Sequence, residues 1–207
     1  MHVAVGLVAC AALVLQLVLV IQGGRVLDET EAPALAARLG RFLCYFTIQS
    51  NILVAVTSLV LARDPARDGR TWRAVRLAAV IGITITAVVH FVLLRPLLDL
   101  DGTDALADTL LHKVVPALAV VAWVGWGPRP RVDRQAIALA LVWPVAWLGF
   151  TLAVRQATGW VPYPFLDADE DGWGGVAAAC VAVSALFVVV ALGAAALDRR
   201  MRPAPSD

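Results

Sequence analysis

Apolar residues run through the chain in six long stretches, which are separated by charged residues or by loops rich in proline and glycine. A helix needs about 20 mostly apolar residues to cross a hydrocarbon core of roughly 30 Å, and each stretch is close to that length. The six predicted spans are 2–22, 42–62, 77–98, 109–125, 136–154 and 176–197. Because six spans leave hardly any chain for a soluble domain, residues 1–207 are predicted to form a single integral membrane domain.

Composition supports this interpretation of the pattern. The hydrophobic fraction is 60% and the mean hydropathy is +0.80, far above the usual apolar share of a soluble domain. Lipid offers no hydrogen-bond partners to the backbone, so each span must satisfy its own polar groups as a helix. The predicted fold is therefore all-α, a polytopic membrane protein built as a bundle of six transmembrane helices.

Basic and acidic residues alternate from loop to loop. Arginines occupy the second loop, the fourth loop and the tail, at Arg63, Arg67, Arg70, Arg73, Arg76, Arg129, Arg131, Arg134, Arg199, Arg200 and Arg202. Acids occupy the odd loops, at Asp28, Glu29, Glu31, Asp99, Asp101, Asp104, Asp108, Asp167, Asp169, Glu170 and Asp171. Since basic residues accumulate in cytoplasmic loops, both termini are predicted to be cytoplasmic.

Three further features bear on location and partners. Lys113 is the only lysine, and this preference for arginine is typical of GC-rich bacterial genomes, so the cytoplasmic (inner) membrane of a bacterium is the predicted location. The net charge of +1 gives no reason to expect nucleic-acid binding. The three cysteines fall in different spans without metal-ligand spacing, so no metal or cofactor is predicted, and the sequence indicates no oligomeric state.

Polar residues inside the spans carry the candidate chemistry, because burying them in lipid costs free energy. Thr47, Ser50 and Asn51 are spaced i, i+3 and i+4 and therefore share one helix face. At about 1.5 Å per residue, Thr47 lies roughly 9 Å below the outer boundary at the start of the second span. His90 in the third span and His112 in the fourth span fall at a similar depth. The pattern predicts a polar cluster in the outer leaflet.

The neighbours of His112 favour a local irregularity. Asp108 lies one turn before His112 on the same face, although we expect it to cap the fourth span rather than to pair with the imidazole. Pro116 has no N–H for the carbonyl of His112, which predicts a kink. Tyr163 lies in the last long loop, above the predicted cluster.

Three strings resemble the landmarks of one membrane-protein family. They are FTIQSN (46–51), LHKVVP (111–116) and TGWVPYPFL (158–166), and the last is the most specific. In number of helices and order of landmarks, the chain resembles the androgen-induced-protein family, whose bacterial branch is known as Pr6Pr membrane proteins. Animal members hydrolyse fatty acid esters of hydroxy fatty acids with an intramembrane threonine and a histidine. An ungapped alignment of the family's Phe-Leu-Thr string places Cys44, instead of Thr47, at the nucleophile.

The resemblance implies Thr47 as the nucleophile and His112 as the general base in an intramembrane lipid-ester hydrolase. Elementary chemistry is consistent with that assignment, because a neutral imidazole can remove the proton of a threonine hydroxyl at physiological pH. Asn51 or Tyr163 is then expected to donate to the oxyanion, and Asp108 to orient His112. Membrane lipids are the expected surroundings, and a lipid ester is the expected substrate.

Other functions remain open from the sequence. A threonine in a membrane helix often bonds the backbone one turn back, and a histidine near a boundary is often interfacial. A non-enzymatic protein that binds lipid or a partner subunit is therefore one alternative. His90 and His112 as axial ligands of a haem would make an electron-transfer protein. Transport ranks lower, because no inverted halves or matched broken helices are apparent.

Overall fold

The computed structural model describes residues 1–23, 33–170 and 172–201, and within these ranges the fold is all-α, without strands. Six stretches are long and apolar enough to cross a membrane by length and composition: His2–Ile21, Phe46–Arg63, Arg70–Leu97, Gly102–Trp126, Arg134–Thr158 and Gly172–Arg200. The α-helices are α1 (His2–Ile21), α2 (Leu35–Cys44), α3 (Phe46–Arg63), α4 (Arg70–Val89), α5 (Gly102–Thr109), α6 (Val115–Trp126), α7 (Arg134–Thr158) and α8 (Gly172–Arg200). The prediction of an all-α protein with six such helices is confirmed.

Helix boundaries differ from the sequence prediction at several places. The second predicted span began at residue 42, but the chain breaks at Tyr45, which has extended backbone angles between α2 and α3. The fourth predicted span began at residue 109, whereas the helix begins at Gly102. The length of an apolar stretch underestimates the length of its helix, because backbone hydrogen bonds continue through polar residues beyond the stretch. Asp28, Glu29, Glu31, Asp171 and Arg202 lie outside the described residues.

Helix α4 is central to the bundle. It packs against α3, α6, α7 and α8, while α1 packs against α3 and α6. Over half of the most apolar stretch of α3 and of α4 is buried, against 11% for α7 and 17% for α8. Helices α7 and α8 each pack on α4 but scarcely on each other. This arrangement leaves a lateral cleft between α7 and α8.

Two π-helical turns interrupt the helices that carry the histidines. His90–Leu94 follows α4, and Leu110–Val114 joins α5 to α6. Each turn comes shortly before a proline, Pro96 or Pro116, whose missing N–H leaves a carbonyl without its usual helical partner. The irregularity expected near Pro116 is therefore present, in the form of a π turn. Such turns are frequent at functional sites.

The end of the bundle that holds Asp198 is called the tail end here, and the end that holds Tyr163 the site end. At the tail end, the buried Asp198 carboxylate accepts hydrogen bonds from the backbone N–H groups of Arg131 and Val132 at 2.8 and 2.9 Å. This contact ties α8 to the loop before α7.

Candidate functional site

Thr47 lies in the first turn of α3, immediately after the break at Tyr45. Backbone N–H groups in a first helical turn have no partner within the helix, and they lie at the positive end of the helix dipole. The N–H of Thr47 donates instead to the phenol oxygen of Tyr163 at 3.3 Å. The Thr47 side chain is 8% exposed, so its hydroxyl is nearly withdrawn from solvent. Cys44, the alternative nucleophile, ends α2, and its carbonyl accepts a hydrogen bond from Trp147.

The imidazole of His112 faces the Thr47 hydroxyl. His112 Nε2 lies 3.3 Å from Thr47 Oγ1. Its other ring nitrogen, Nδ1, lies 3.0 Å from Oδ1 of Asp108 and 3.1 Å from the Asp108 carbonyl. Because both neighbours of Nδ1 are acceptors, Nδ1 carries the hydrogen of the neutral ring. The lone pair on Nε2 therefore points at the threonine hydroxyl.

Asp108 connects both histidines. His90 Nε2 lies 3.2 Å from the same Oδ1 of Asp108, without the alignment of a good hydrogen bond. The imidazoles of His90 and His112 stack, with ring centroids 3.7 Å apart and planes 11° apart. The expectation that Asp108 caps a helix is wrong, because that helix begins earlier and Asp101 occupies its N-cap. Asp108 pairs with the imidazoles instead.

The stacked rings bear on cofactors and metals. A haem with two axial histidines needs the rings on opposite faces of the porphyrin, and rings stacked at 3.7 Å leave no room between them. The haem alternative does not fit this site. The ligand atoms of His90, Asp108 and His112 all lie within 4.8 Å of one another, so these three residues could hold a metal ion.

Tyr163 is held over the site by aromatic neighbours. Its ring stacks on Phe165 and meets Tyr45 edge-on. The phenol oxygen lies 3.5 Å from Thr47 Oγ1. Burial raises the pKa of the Tyr163 phenol, so the group stays protonated at neutral pH and keeps a hydrogen to donate. The Arg155 guanidinium at the end of α7 lies 3.1 Å from a carboxylate oxygen of Asp169 and so helps to tie this loop to the bundle.

Asn51 and Ser50 share the buried face of Thr47 but have other partners. The Asn51 amide nitrogen lies 2.8 Å from the carbonyl of Thr47 and 3.4 Å from the carbonyl of Leu111 within the second π turn. Both amide hydrogens are therefore engaged, and the expected donation to an oxyanion is not available in this arrangement. Ser50 accepts a hydrogen bond from Thr86 at 3.2 Å, which joins α3 to α4.

Two cavities meet at Thr47. The larger, about 260 Å³, lies among α4, α7 and α8, and it is lined almost entirely by apolar side chains. Val145 and Val188 line it and are also exposed on the outside of the bundle, so it opens sideways through the cleft between α7 and α8. The smaller cavity, about 80 Å³, lies towards the loop before α5 and is more polar. Thr47, His90 and Tyr163 line both cavities.

The sequence prediction favoured the wrong role for one residue of this site and missed one of its walls. It placed Asp108 on the same face as His112 but favoured a capping role for it, because Asp is common at the N-terminal end of a helix. It also missed the cavity wall from α7 and α8, whose apolar residues give no signal beyond that of an ordinary span. Comparisons with known proteins identify no relative: no family model, no curated protein and no solved structure matches the chain.

Proposed function

We propose that this protein is an intramembrane hydrolase of fatty acid esters, in which Thr47 is the nucleophile and His112 the general base. The observation that carries the proposal is the 3.3 Å contact between Thr47 Oγ1 and the unprotonated Nε2 of His112, at the inner end of an apolar cavity. That distance is close to the range in which proton transfer to a general base occurs. The three sequence strings that resemble the androgen-induced-protein family favour the same pair of residues.

The reaction proceeds in two halves. His112 Nε2 takes the proton of the Thr47 hydroxyl as Oγ1 attacks the ester carbonyl, and the resulting imidazolium returns that proton to the leaving alcohol when the C–O bond breaks. The acyl group is then bonded to Thr47. A water molecule attacks this acyl-enzyme, gives one proton to His112 and releases the fatty acid, and the proton returns to Thr47 Oγ1. The Asp108 carboxylate accepts a hydrogen bond from the Nδ1–H of His112 and stabilises the imidazolium that forms in each half of the reaction.

Charge that develops on the carbonyl oxygen needs a donor, and the Tyr163 phenol lies beside the nucleophile. The Tyr163 phenol is 3.5 Å from Thr47 Oγ1 and retains its hydrogen. The backbone N–H of Thr47, at the positive end of α3, donates to the Tyr163 oxygen and so holds the phenol beside the nucleophile. Donors fixed before the reaction stabilise a developing oxyanion more strongly than water does, because they need not reorganise.

The apolar cavity supports a lipid substrate. A chain that enters sideways between α7 and α8 places its carboxyl end at Thr47 without leaving the apolar phase. In the orientation that the arginine-rich loops favour, both termini are cytoplasmic and the site lies in the outer leaflet. The arginine-rich composition favours the inner membrane of a bacterium as the location.

Hydrolysis of a fluorogenic decanoyl ester by the purified protein in neutral detergent tests the proposal. We expect turnover by the wild type, and a loss of at least about 10³-fold in Thr47→Ala and in His112→Ala. Cys44→Ala is the matched control, because that thiol is the alternative nucleophile, and we expect it to retain activity. Absence of wild-type turnover would favour a protein that binds lipid in the apolar cavity without cleaving it. Equal turnover in Thr47→Ala would refute Thr47 as the nucleophile.

A metal-assisted hydrolase is a second candidate, favoured by the convergence of His90, Asp108 and His112. An ion held by these three groups would activate water directly and would make the Thr47 hydroxyl dispensable. Dialysis against a chelator distinguishes the two. The threonine mechanism requires unchanged turnover after dialysis, whereas a metal hydrolase would lose activity and regain it with added zinc.

A further inference from the structure

Each of the two cavities would receive one half of the ester substrate. The nucleophile lies at their junction, so a carbonyl attacked by Thr47 has its acyl chain on one side and its leaving alcohol on the other. The larger cavity is apolar and open to the outside of the bundle, as an acyl chain requires. The smaller cavity therefore receives the leaving alcohol. The charged residues that line the smaller cavity then determine which leaving alcohols it accepts. This inference rests on the proposed function.

The formal charges in the lining of the smaller cavity are acidic. Asp104 and Asp108 line it, and none of its lining residues is a lysine or an arginine. The Asp108 carboxylate contacts both imidazoles, those of His90 and His112. Asp104 is half-buried in the first turn of α5 and has no hydrogen bond or ion pair among the described residues, so no cation in the described part of the chain neutralises its charge. A group in this cavity experiences a net negative potential when the imidazoles are neutral.

The arginines next to the cavity along the chain are occupied elsewhere. Arg95 follows the lining residue Leu94, and its guanidinium donates to the carbonyl of Leu98 at 2.8 Å. Arg41 precedes the lining residue Phe42, and its guanidinium lies over the ring of Trp160, 5.0 Å from the centroid. Neither side chain lines the cavity. An anionic leaving group would find no cation within it.

We infer that the leaving alcohol is neutral or cationic, and that Asp104 is the residue that excludes anionic alcohols. At separations of several ångströms, repulsion between two carboxylates in a partly buried site amounts to about a tenfold discrimination after screening by solvent. This selectivity differs from the hydroxy fatty acid esters that the sequence resemblance implies, because their leaving alcohol bears a carboxylate. The specificity of this chain therefore follows from its own third loop and α5.

A matched series of decanoyl esters tests the inference. The three leaving alcohols share an O–CH₂–CH₂–X skeleton in which X is trimethylammonium, tert-butyl or carboxylate, so that charge varies at similar size. We expect kcat/KM for the cationic and neutral esters to exceed that for the anionic ester by about tenfold. Asp104→Asn should narrow that ratio to about threefold or less. Asp99→Asn is the control, because it removes the same charge from an exposed position outside the cavity, and it should leave the ratio unchanged.

The inference is overturned if the wild type cleaves the anionic ester within twofold of the neutral one, or if Asp99→Asn narrows the ratio as much as Asp104→Asn does. Absence of any ester cleavage would instead overturn the proposed function. In that case, a binding experiment with the corresponding decyl ethers tests the charge selectivity. Binding is measured by the change in fluorescence of Trp147, which lies in the wall of the larger cavity. Weaker binding of the anionic ether, relieved in Asp104→Asn, supports the inference, and equal binding of all three overturns it.

Discussion

Replacing Asp108 by asparagine removes one charge from the centre of the site while keeping its shape. The carboxylate lies 3.0 Å from His112 Nδ1. In the proposed mechanism it stabilises the imidazolium that forms as Thr47 loses its proton. Opposite charges about 4 Å apart interact by about 4 kcal/mol at an effective dielectric constant of about 20. Since about 1.4 kcal/mol is a factor of ten, that loss alone lowers the rate about 10³-fold. An amide also permits the wrong tautomer of His112, so the expected loss in kcat is about 10³- to 10⁴-fold.

The assay is hydrolysis of the fluorogenic decanoyl ester at saturating substrate, with the folded fraction checked by size exclusion and thermal unfolding in the same detergent. Asp198→Asn is the matched control, because it neutralises a buried carboxylate with two hydrogen-bond partners at the tail end. We expect that variant to lose stability but to keep its kcat per folded molecule. If Asp108→Asn retained more than a third of wild-type kcat while folded, the assigned role of the carboxylate would be refuted.

Three further predictions follow from the same geometry. Tyr163→Phe removes the phenol donor while keeping the ring stack, so kcat should fall about 10²-fold with little change in KM. A rate within threefold of wild type would argue against the phenol as oxyanion donor. His90→Phe keeps a ring against the second imidazole but loses the carboxylate contact, so kcat should fall about tenfold or less, and a complete loss would identify His90 as the base. Gly82→Ala places a Cβ 2.5 Å from the Trp143 ring and should destabilise the fold by about 1–3 kcal/mol in thermal unfolding, whereas Gly149→Ala, which meets no atom within 4 Å, should not.

Polar residues within the apolar stretches located part of the site. Long apolar stretches predicted all six long helices, because a span is specified by composition over about 20 residues. Thr47 and His112 were singled out because a polar side chain in an apolar stretch stands out from its surroundings. The structure brings both to one point, with their side-chain atoms 3.3 Å apart. Their catalytic roles remain a prediction that the proposed assay tests.

The remaining parts of the site depend on contacts that no local pattern records. The partners of Asn51 are two backbone carbonyls, one of them exposed only because a π turn leaves it without a helical partner. Asp108 was interpreted as a cap because capping is a local preference, whereas its pairing with His90 requires two helices to meet. The break at Tyr45 lies inside an apolar stretch without proline or glycine, so propensity alone did not indicate it.

The π turn at Leu110–Val114 makes the site sensitive to chain length. A π turn contains one residue more than the α turn that it replaces. Deleting one residue there would restore a regular helix, and the segments on either side would keep nearly the same orientation relative to each other. The side chains within the turn would change direction instead, and His112 is one of them, so its imidazole would lose its alignment with Asp108 and Thr47. Among diverging sequences, insertions and deletions within this turn would therefore abolish the site more readily than substitutions at the same positions.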